Sequence, residues 1–182
     1  MVHRSMSCPD LLSLRLETER LLLVPISLVY REEVFKEFTP EITTYMFPKS
    51  ADTIAETDAF ITRSISNMEQ GKELVCAILL KTTHEFVGCA GLHRIGDSTP
   101  ELGVWTKASL HGHKYGREAV TRLKEFADEY FMYEYLNYPV AKENTASRKI
   151  AESLGGVIRK EYLKMNMSNR ELDMVEYHIP RA

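Results

Sequence analysis

Glu101–Phe131 reads E-L-G-V-W-T-K-A-S-L-H-G-H-K-Y-G-R-E-A-V-T-R-L-K-E-F-A-D-E-Y-F, and the rest of the chain is organised around it. A short apolar run, Leu102, Val104 and Trp105, is followed by a loop holding Gly112, His113, Lys114, Tyr115 and Gly116. Ala119, Val120, Leu123, Phe126, Ala127, Tyr130 and Phe131 then recur at spacings of one, three, three, one, three and one, which sets them on one helix face. The stretch predicts strand, glycine-bearing loop, helix. The first turn of such a helix carries unpaired N–H groups and the positive end of the helix dipole. Glycines let a ligand approach that backbone closely. The chemistry that follows is an anion site, most often one for phosphate.

Upstream, Glu19–Ile26 is a strand candidate in which Pro25 favours an edge or an end. Ser27 suits the N-cap of a helix running to about Phe38, with Val34, Phe35 and Phe38 inward, and Ser50 that of a second helix to about Gln70. Gly71 is placed to end it. Leu74–Leu80 and Phe86 to about Ile95 read as an antiparallel hairpin leading into the Glu101 strand. Downstream come a strand from Leu136 to Ala141 with Pro139 as its oddity, and a helix from Glu143-Asn144 to Gly155-Gly156. Two strands close the chain, Val157 to about Met165 and Leu172–Ile179. The order β-α-α-β-β-β-α-β-α-β-β, with seven strands, implies a mixed α/β sheet with helices on both faces. Residues 1–17 read as a short extension and 18–182 as one domain.

The net charge of −3 argues against a general nucleic-acid binder. No run is long and apolar enough to span a bilayer, and the N-terminus lacks the apolar segment of a signal peptide. Cys8, Cys76 and Cys89 cannot all pair and lack metal-ligand spacing, so they read as reduced thiols of a cytoplasmic protein.

The central stretch resembles the acyl-CoA signature of the GNAT N-acetyltransferase superfamily. That signature is Arg/Gln, two residues, Gly, one residue, Gly/Ala at the head of a long helix; it falls on His111, Lys114 and Gly116, and only the last matches. The wider phrase resembles the ribosomal-protein N-acetyltransferase-like (RimJ/RimL-type) branch. Glu101-Leu102-Gly103-Val104-Trp105-Thr106 corresponds to its E-I-G-Y-W-L, and His111 to Ala119 to its W-G-K-G-Y-A-T-E-A, without a gap. Thr18-Glu19-Arg20-Leu21-Leu22-Leu23 matches the T-E-R-L-L-L that opens the first strand there, and the likeness covers about residues 18–180. It implies a GNAT-like, largely antiparallel seven-stranded sheet. It also implies acetyl-CoA in the cleft where the fourth and fifth strands part. Backbone groups around Trp105 and Thr106 would pair with pantetheine, and the loop His111, Gly112, His113, Lys114, Tyr115, Gly116, Arg117 would hold the pyrophosphate. The departure is Lys114 in place of the second glycine. A side chain disfavours φ > 0 there, yet an ammonium could add a charge-assisted contact to phosphate.

Amide formation from a thioester needs a neutral amine, a held carbonyl oxygen and a proton for the departing thiolate. Asn144 and Ser147 lie on one side of a first helical turn, which is also how a helix cap looks. The resemblance implies that Asn144 contacts the pantetheine arm and Ser147 protonates the thiolate. Glu101, at the start of its strand, is a candidate base and equally an ordinary strand-end acid; His93 is the rival, since an imidazole titrates near 6.5. Tyr45, Met46 and Phe47 could line an acceptor pocket or form a satellite hydrophobic cluster. His111-x-His113 lacks partners at metal-ligand spacing, and no metal is expected. Cys89 lacks an adjacent base for nucleophilic work.

The expected function is acetyl-CoA-dependent N-acetyl transfer to a primary amine, with a protein or peptide α-amine as acceptor. The partners are then acetyl-CoA and that amine; nucleic acid and membrane are not expected, and a homodimer is admissible. Small-molecule amines (amino acids, polyamines, antibiotics) and a catalytically silent acyl-CoA-binding or regulatory domain are the alternatives.

Overall fold

The computed structural model describes residues 9–182; Cys8 lies outside them. Its strands are β1 (Leu16–Glu17), β2 (Leu21–Pro25), β3 (Leu74–Leu80), β4 (Phe86–His93), β5 (Glu101–Thr106), β6 (Tyr135–Ala141), β7 (Val157–Met165) and β8 (Glu171–Pro180). Its α-helices are α1 (Arg31–Glu37), α2 (Ile54–Glu69), α3 (Tyr115–Tyr130) and α4 (Thr145–Ser153). The eight strands lie in the order β1-β2-β3-β4-β5-β6-β8-β7, antiparallel except for β5 with β6.

The mixed α/β architecture follows the sequence reading, with several corrections. The eighth strand is Leu16–Glu17, drawn in by pairing with Leu22 and Leu23. Leu11 and Leu16 are core residues, so the packed unit reaches back into the stretch read as an extension. Ser27 caps only a 3-10 turn, Leu28–Tyr30, and gives no side-chain hydrogen bond, so α1 starts at Arg31. Nor is Ser50 a cap: α2 begins at Ile54, and the Glu56 carboxylate reaches back to accept from the Asp52 N–H at 2.8 Å. β4 ends at His93 because Arg94 turns the chain with φ +56.

Leu21, Leu22 and Leu23 are all buried. An unbroken apolar run is what a strand covered on both faces requires. Side chains alternate between faces. Trp105 packs on Phe38 at the end of α1, whereas Val104 and Thr106 face Gly116 of α3. So α1 and α2 cover one face, α3 and α4 the other.

The parallel pair carries the main feature. Glu101 registers with Asn137, and beyond that point the two strands part. Asn137 N–H donates to the Pro100 carbonyl at 2.8 Å. Two residues on, the next inward-pointing donor would be that of residue 139, and Pro139 has no N–H. The oddity of β6 thus sits where the ladder stops. Both strands lead into helix N-termini, α3 after β5 and α4 after β6, so the split opens between two helix heads.

Candidate active site

The head of α3 is shaped by two left-handed residues, Gly112 (φ +87) and Lys114 (φ +63). Lys114 therefore keeps the backbone geometry of a glycine position while carrying a side chain, at a cost of about 1 kcal/mol. It is the N-cap and supplies no side-chain cap. The first helical bond is Glu118 N–H to the Lys114 carbonyl, 3.1 Å, so the N–H groups of Tyr115, Gly116 and Arg117 lie ahead of it. A Cβ on Gly116 would meet Ile150, Val104 and Thr106 at 3.5 to 3.7 Å, which is ordinary contact. Alanine fits there; a larger group would lever the helix off the sheet.

A strap from the start of β2 holds this head. Glu118 accepts from Thr18 Oγ1 (2.5 Å), from the Arg20 backbone N–H (2.9 Å) and from Arg20 Nε (2.8 Å). Arg20 Nη2 also donates to the His113 carbonyl at 2.9 Å, and its guanidinium lies 4.6 Å from the centre of the Tyr115 ring. Burial works to raise the Glu118 pKa; the hydrogen bonds of Thr18 and Arg20 outweigh it and hold the carboxyl below its ordinary range. Sequence reading missed Arg20 and Glu118 as partners because they stand far apart in the chain. Their two phrases, T-E-R and R-E-A, were both visible.

The two loop histidines bond to the loop's own backbone. His111 Nε2 donates to the Thr106 carbonyl at 2.9 Å. His113 Nδ1 contacts the Leu110 carbonyl at 3.1 Å, and its ring stacks on Tyr115 at 5.3 Å. Among the described residues no group of three or more His, Cys, Asp or Glu is arranged for a metal ion. Thr18, Arg20, Lys114, Arg117 and Arg122 also line a groove of about 560 Å³ along α3.

The Trp105 ring is part of the core against Phe38 and Phe86. Its carbonyl oxygen lies where a Cβ on Gly88 would go, which makes Gly88 obligatory. Across the split, Asn144 is the N-cap of α4 and accepts from the Ser147 backbone N–H at 3.2 Å, so the cap reading describes Asn144. The Ser147 hydroxyl is engaged separately, 2.8 Å from the Tyr138 hydroxyl. Burial pushes the Tyr138 phenol up to about 12, so it is a neutral O–H at pH 7. Nothing in the spacing pointed to Tyr138, which reads as strand filling.

The α1–α2 face presents the candidate bases. His93 and Glu101 are register partners across β4 and β5, on the face shared with Gly91, Gly103 and Trp105. The Glu101 carboxylate lies 3.6 Å from Arg94 Nη2. His93 Nδ1 lies 2.9 Å from Glu73 Oε2, a partner the sequence reading did not name. Tyr45, Met46 and Phe47 are tied to the β7–β8 hairpin. Asn166 Nδ2 donates to the Met46 carbonyl (3.2 Å) and Met167 N–H to that of Phe47 (2.9 Å). Tyr45 packs beside Ala141, Leu172 and Met174, a satellite cluster, while the Phe47 ring is exposed with Lys164 Nζ 4.1 Å from its centre. Cys76 and Cys89 are buried; burial raises both thiols, Cys76 to about 12, and Cys89 has no part in a nucleophilic site.

The model of an acetyltransferase (GNAT) domain matches residues 20–157. No curated protein matches the chain. Among solved structures, a provisionally assigned ribosomal-protein-serine acetyltransferase from Vibrio cholerae superposes with a TM-score of 0.77 at 18% identity, covering 93% of this chain and 98% of its own. The microcin C7 self-immunity acetyltransferase MccE, in complex with acetyl-CoA and AMP, gives 0.78 at 19% identity over 90% of this chain and 93% of that one. The spermidine N-acetyltransferase from Vibrio cholerae, in complex with CoA and spermine, gives 0.78 at 14% over 90% and 97%. These likenesses establish the fold, and the domain match over most of the chain establishes the family: this chain belongs to the GNAT acetyltransferases and is an N-acetyltransferase.

Proposed function

We propose that the protein moves an acetyl group from acetyl-CoA to the α-amine of a peptide or protein by direct attack in a ternary complex, as in the ribosomal-protein N-acetyltransferase-like branch. The observation that carries this reading is the split between β5 and β6, with the heads of α3 and α4 on one side and His93 and Glu101 on the other face. In this reading the N–H groups of Tyr115, Gly116 and Arg117 and the Lys114 ammonium take the pyrophosphate. The backbone of Trp105 and Thr106 aligns pantetheine, with Asn144 at the thioester end. Ser147, backed by the Tyr138 hydroxyl, passes a proton to the departing thiolate. The acceptor approaches over the α1–α2 face, past Tyr45, Met46 and Phe47. A cytoplasmic setting, with Cys76 and Cys89 reduced, belongs to the same reading.

The acceptor class follows from proton energetics. Making a lysine amine neutral at pH 7 costs about 3.4 kcal/mol more than for an α-amine, from pKa values of about 10.4 and 7.9. Of the two candidate bases, Glu101 already faces a guanidinium and His93 is a single imidazole. That equipment suits the weaker base among amines.

Acetyl-CoA at a hundred times its Kd adds about 2.7 kcal/mol of stability, a Tm rise of roughly 5–10 °C for this size. ATP at equal concentration should do much less, and equal shifts reject the CoA site. CoA thiol release on adding a peptide amine completes the test. Acetyl-CoA binding without release on any amine would instead mark a silent binding domain.

A further inference from the structure

We propose that His93 is the general base of the transfer and that Glu73 is its positioning residue, with the facing glycines Gly91 and Gly103 forming the floor over which the acceptor amine reaches Nε2. This rests on the acetyl-transfer reading above.

The placement is built from local structure. Gly71 (φ +68) ends α2, and its N–H and that of Lys72 close the helix on the carbonyls of Met68 and Asn67. The chain then enters β3, and Glu73 stands at its head beside the end of β4. The Lys72 carbonyl accepts from the Ile95 N–H at 2.8 Å, which ties the two strand ends together next to the pair. Glu73 Oε1 takes the Asn67 amide at 3.2 Å, and Oε2 faces His93 Nδ1 at 2.9 Å. The Glu73 side chain is 15% exposed. Burial opposes its charge, but hydrogen bonds from His93, Asn67 and Ser64 outweigh burial and hold its carboxyl below the ordinary range.

An ionised carboxylate can only accept. The neutral imidazole must therefore carry its proton on Nδ1, which leaves Nε2 with a lone pair. Nε2 lies over Gly91: a Cβ there would collide with it, and a Cβ on Gly103, the register partner of Gly91, would stand 4.0 Å away. The His93 side chain is 37% exposed, so the imidazole is anchored at one nitrogen and open at the other. The charged groups around it are Glu73 at the head of β3, Glu101 opposite on β5 and Arg94 next in the chain; α2 contributes the polar Ser64 and Asn67. Glu101 is the poorer base, because its carboxylate has the Arg94 guanidinium at 3.6 Å.

The protons balance as follows. Nε2 takes one proton from R–NH3+ and later gives it to solvent. The R–NH2 nitrogen forms the C–N bond to the thioester carbonyl carbon. The C–S bond breaks, and the second proton lost by that nitrogen is matched by one delivered to the thiolate. The products are the N-acetyl amine, CoA thiol and one solvent proton.

The test is the pH profile of kcat/KM, read with acetyl-CoA and a peptide amine, for wild type, Glu73→Gln, His93→Gln and Glu101→Gln. Activity falls on the acid side as the base becomes protonated. Glu73→Gln removes the acceptor that fixes the proton on Nδ1, so kcat/KM falls about tenfold or more. His93→Gln abolishes the limb and lowers kcat/KM about 100-fold or more, while Glu101→Gln keeps the limb. A Glu73→Gln variant with kcat/KM unchanged overturns the proposal, as does a limb lost in Glu101→Gln and kept in His93→Gln. Long-range 1H–15N spectra of the neutral imidazole give a readout independent of turnover: a proton on Nδ1 is expected, and one on Nε2 overturns the pairing. Absence of transfer to any amine by wild type would sink the acetyl-transfer reading, and the spectra would still decide the Glu73–His93 pair.

Discussion

The two sides of the β5–β6 split are built by opposite means. In the proposed reading the donor side comes from two short stretches, Trp105 to Arg117 and Asn144 to Ser147, and would work largely through backbone: helix-head N–H groups, two left-handed residues and a cap. The proposed acceptor side is assembled from side chains that the sheet gathers from distant places: Glu73 before β3, His93 and Arg94 at the end of β4, Glu101 on β5, and Tyr45 to Phe47 against the last hairpin. Backbone sites tolerate little change in conformation but much change in side chain. Side-chain sites behave in the reverse way.

Gly88 and Gly91, on opposite faces of β4, give the sharpest contrast. Gly88→Ala drives a methyl into the Trp105 carbonyl, which is backbone and cannot step aside. We expect a loss of about 4 kcal/mol, seen as a fall in Tm of roughly 8–16 °C. Gly91→Ala meets the far end of the His93 side chain, which can move. It should leave Tm within about 3 °C while kcat/KM drops about tenfold through the displaced base. Equal losses of stability would erase the distinction between the two faces.

Ser147→Ala comes next. The cap bond uses the Ser147 backbone N–H, which alanine retains, but the buried Tyr138 hydroxyl loses its partner, at about 1 kcal/mol; Tm should fall by only about 2–4 °C while kcat falls roughly tenfold or more with acetyl-CoA Kd unchanged. Asn144→Ala removes the cap acceptor and should cost about 1 kcal/mol of stability. A Ser147→Ala variant that loses Tm and not kcat would return Ser147 to a structural role.

The strap should act on acetyl-CoA binding and on stability, and not on the proton transfer. Arg20→Ala frees the Glu118 carboxylate and the His113 carbonyl, and calorimetry should show acetyl-CoA Kd rising about tenfold, or about 1.4 kcal/mol, with the acid limb of kcat/KM unmoved. The strap also has a pH signature. Because the Glu118 pKa is depressed on folding, its contribution is present above the unfolded value of about 4.3 and is lost as pH falls through the lower folded value. Glu118→Gln should flatten that part of the acid unfolding curve. Lys114→Gly is the smallest: relief of the left-handed side chain adds about 1 kcal/mol, while the lost ammonium weakens acetyl-CoA and reduces the salt dependence of Kd.

The sequence made the β5–loop–α3 stretch legible and the side chains gathered around His93 only in part. Strand, loop and helix over Glu101–Phe131 lie where the apolar spacing put them, with β5 at Glu101–Thr106 and α3 at Tyr115–Tyr130. Helix periodicity and glycine placement are local, so a window of residues carries them. Ser27 and Ser50 misled because a serine before an apolar series is only a permitted cap, and tertiary packing set the starts of α1 and α2. Pro139 was noticed without its meaning, which depends on which edge of β6 its missing N–H faces. Glu73 and Tyr138 carry no motif. Their partners stand 20 and 9 residues away, and only the fold brings them together, through β3–β4 pairing for Glu73 with His93 and the packing of α4 on β6 for Tyr138 with Ser147.

The central claim is transfer to an α-amine. The direct measurement offers acetyl-CoA with two peptides of one sequence carrying an internal lysine, one with a free N-terminus and one blocked, and locates the acetyl group by mass spectrometry while CoA thiol is followed. The account predicts acetyl on the N-terminus of the free peptide and little reaction of the blocked one. Acetylation of the lysine in the blocked peptide as fast as of the N-terminus in the free one would contradict it.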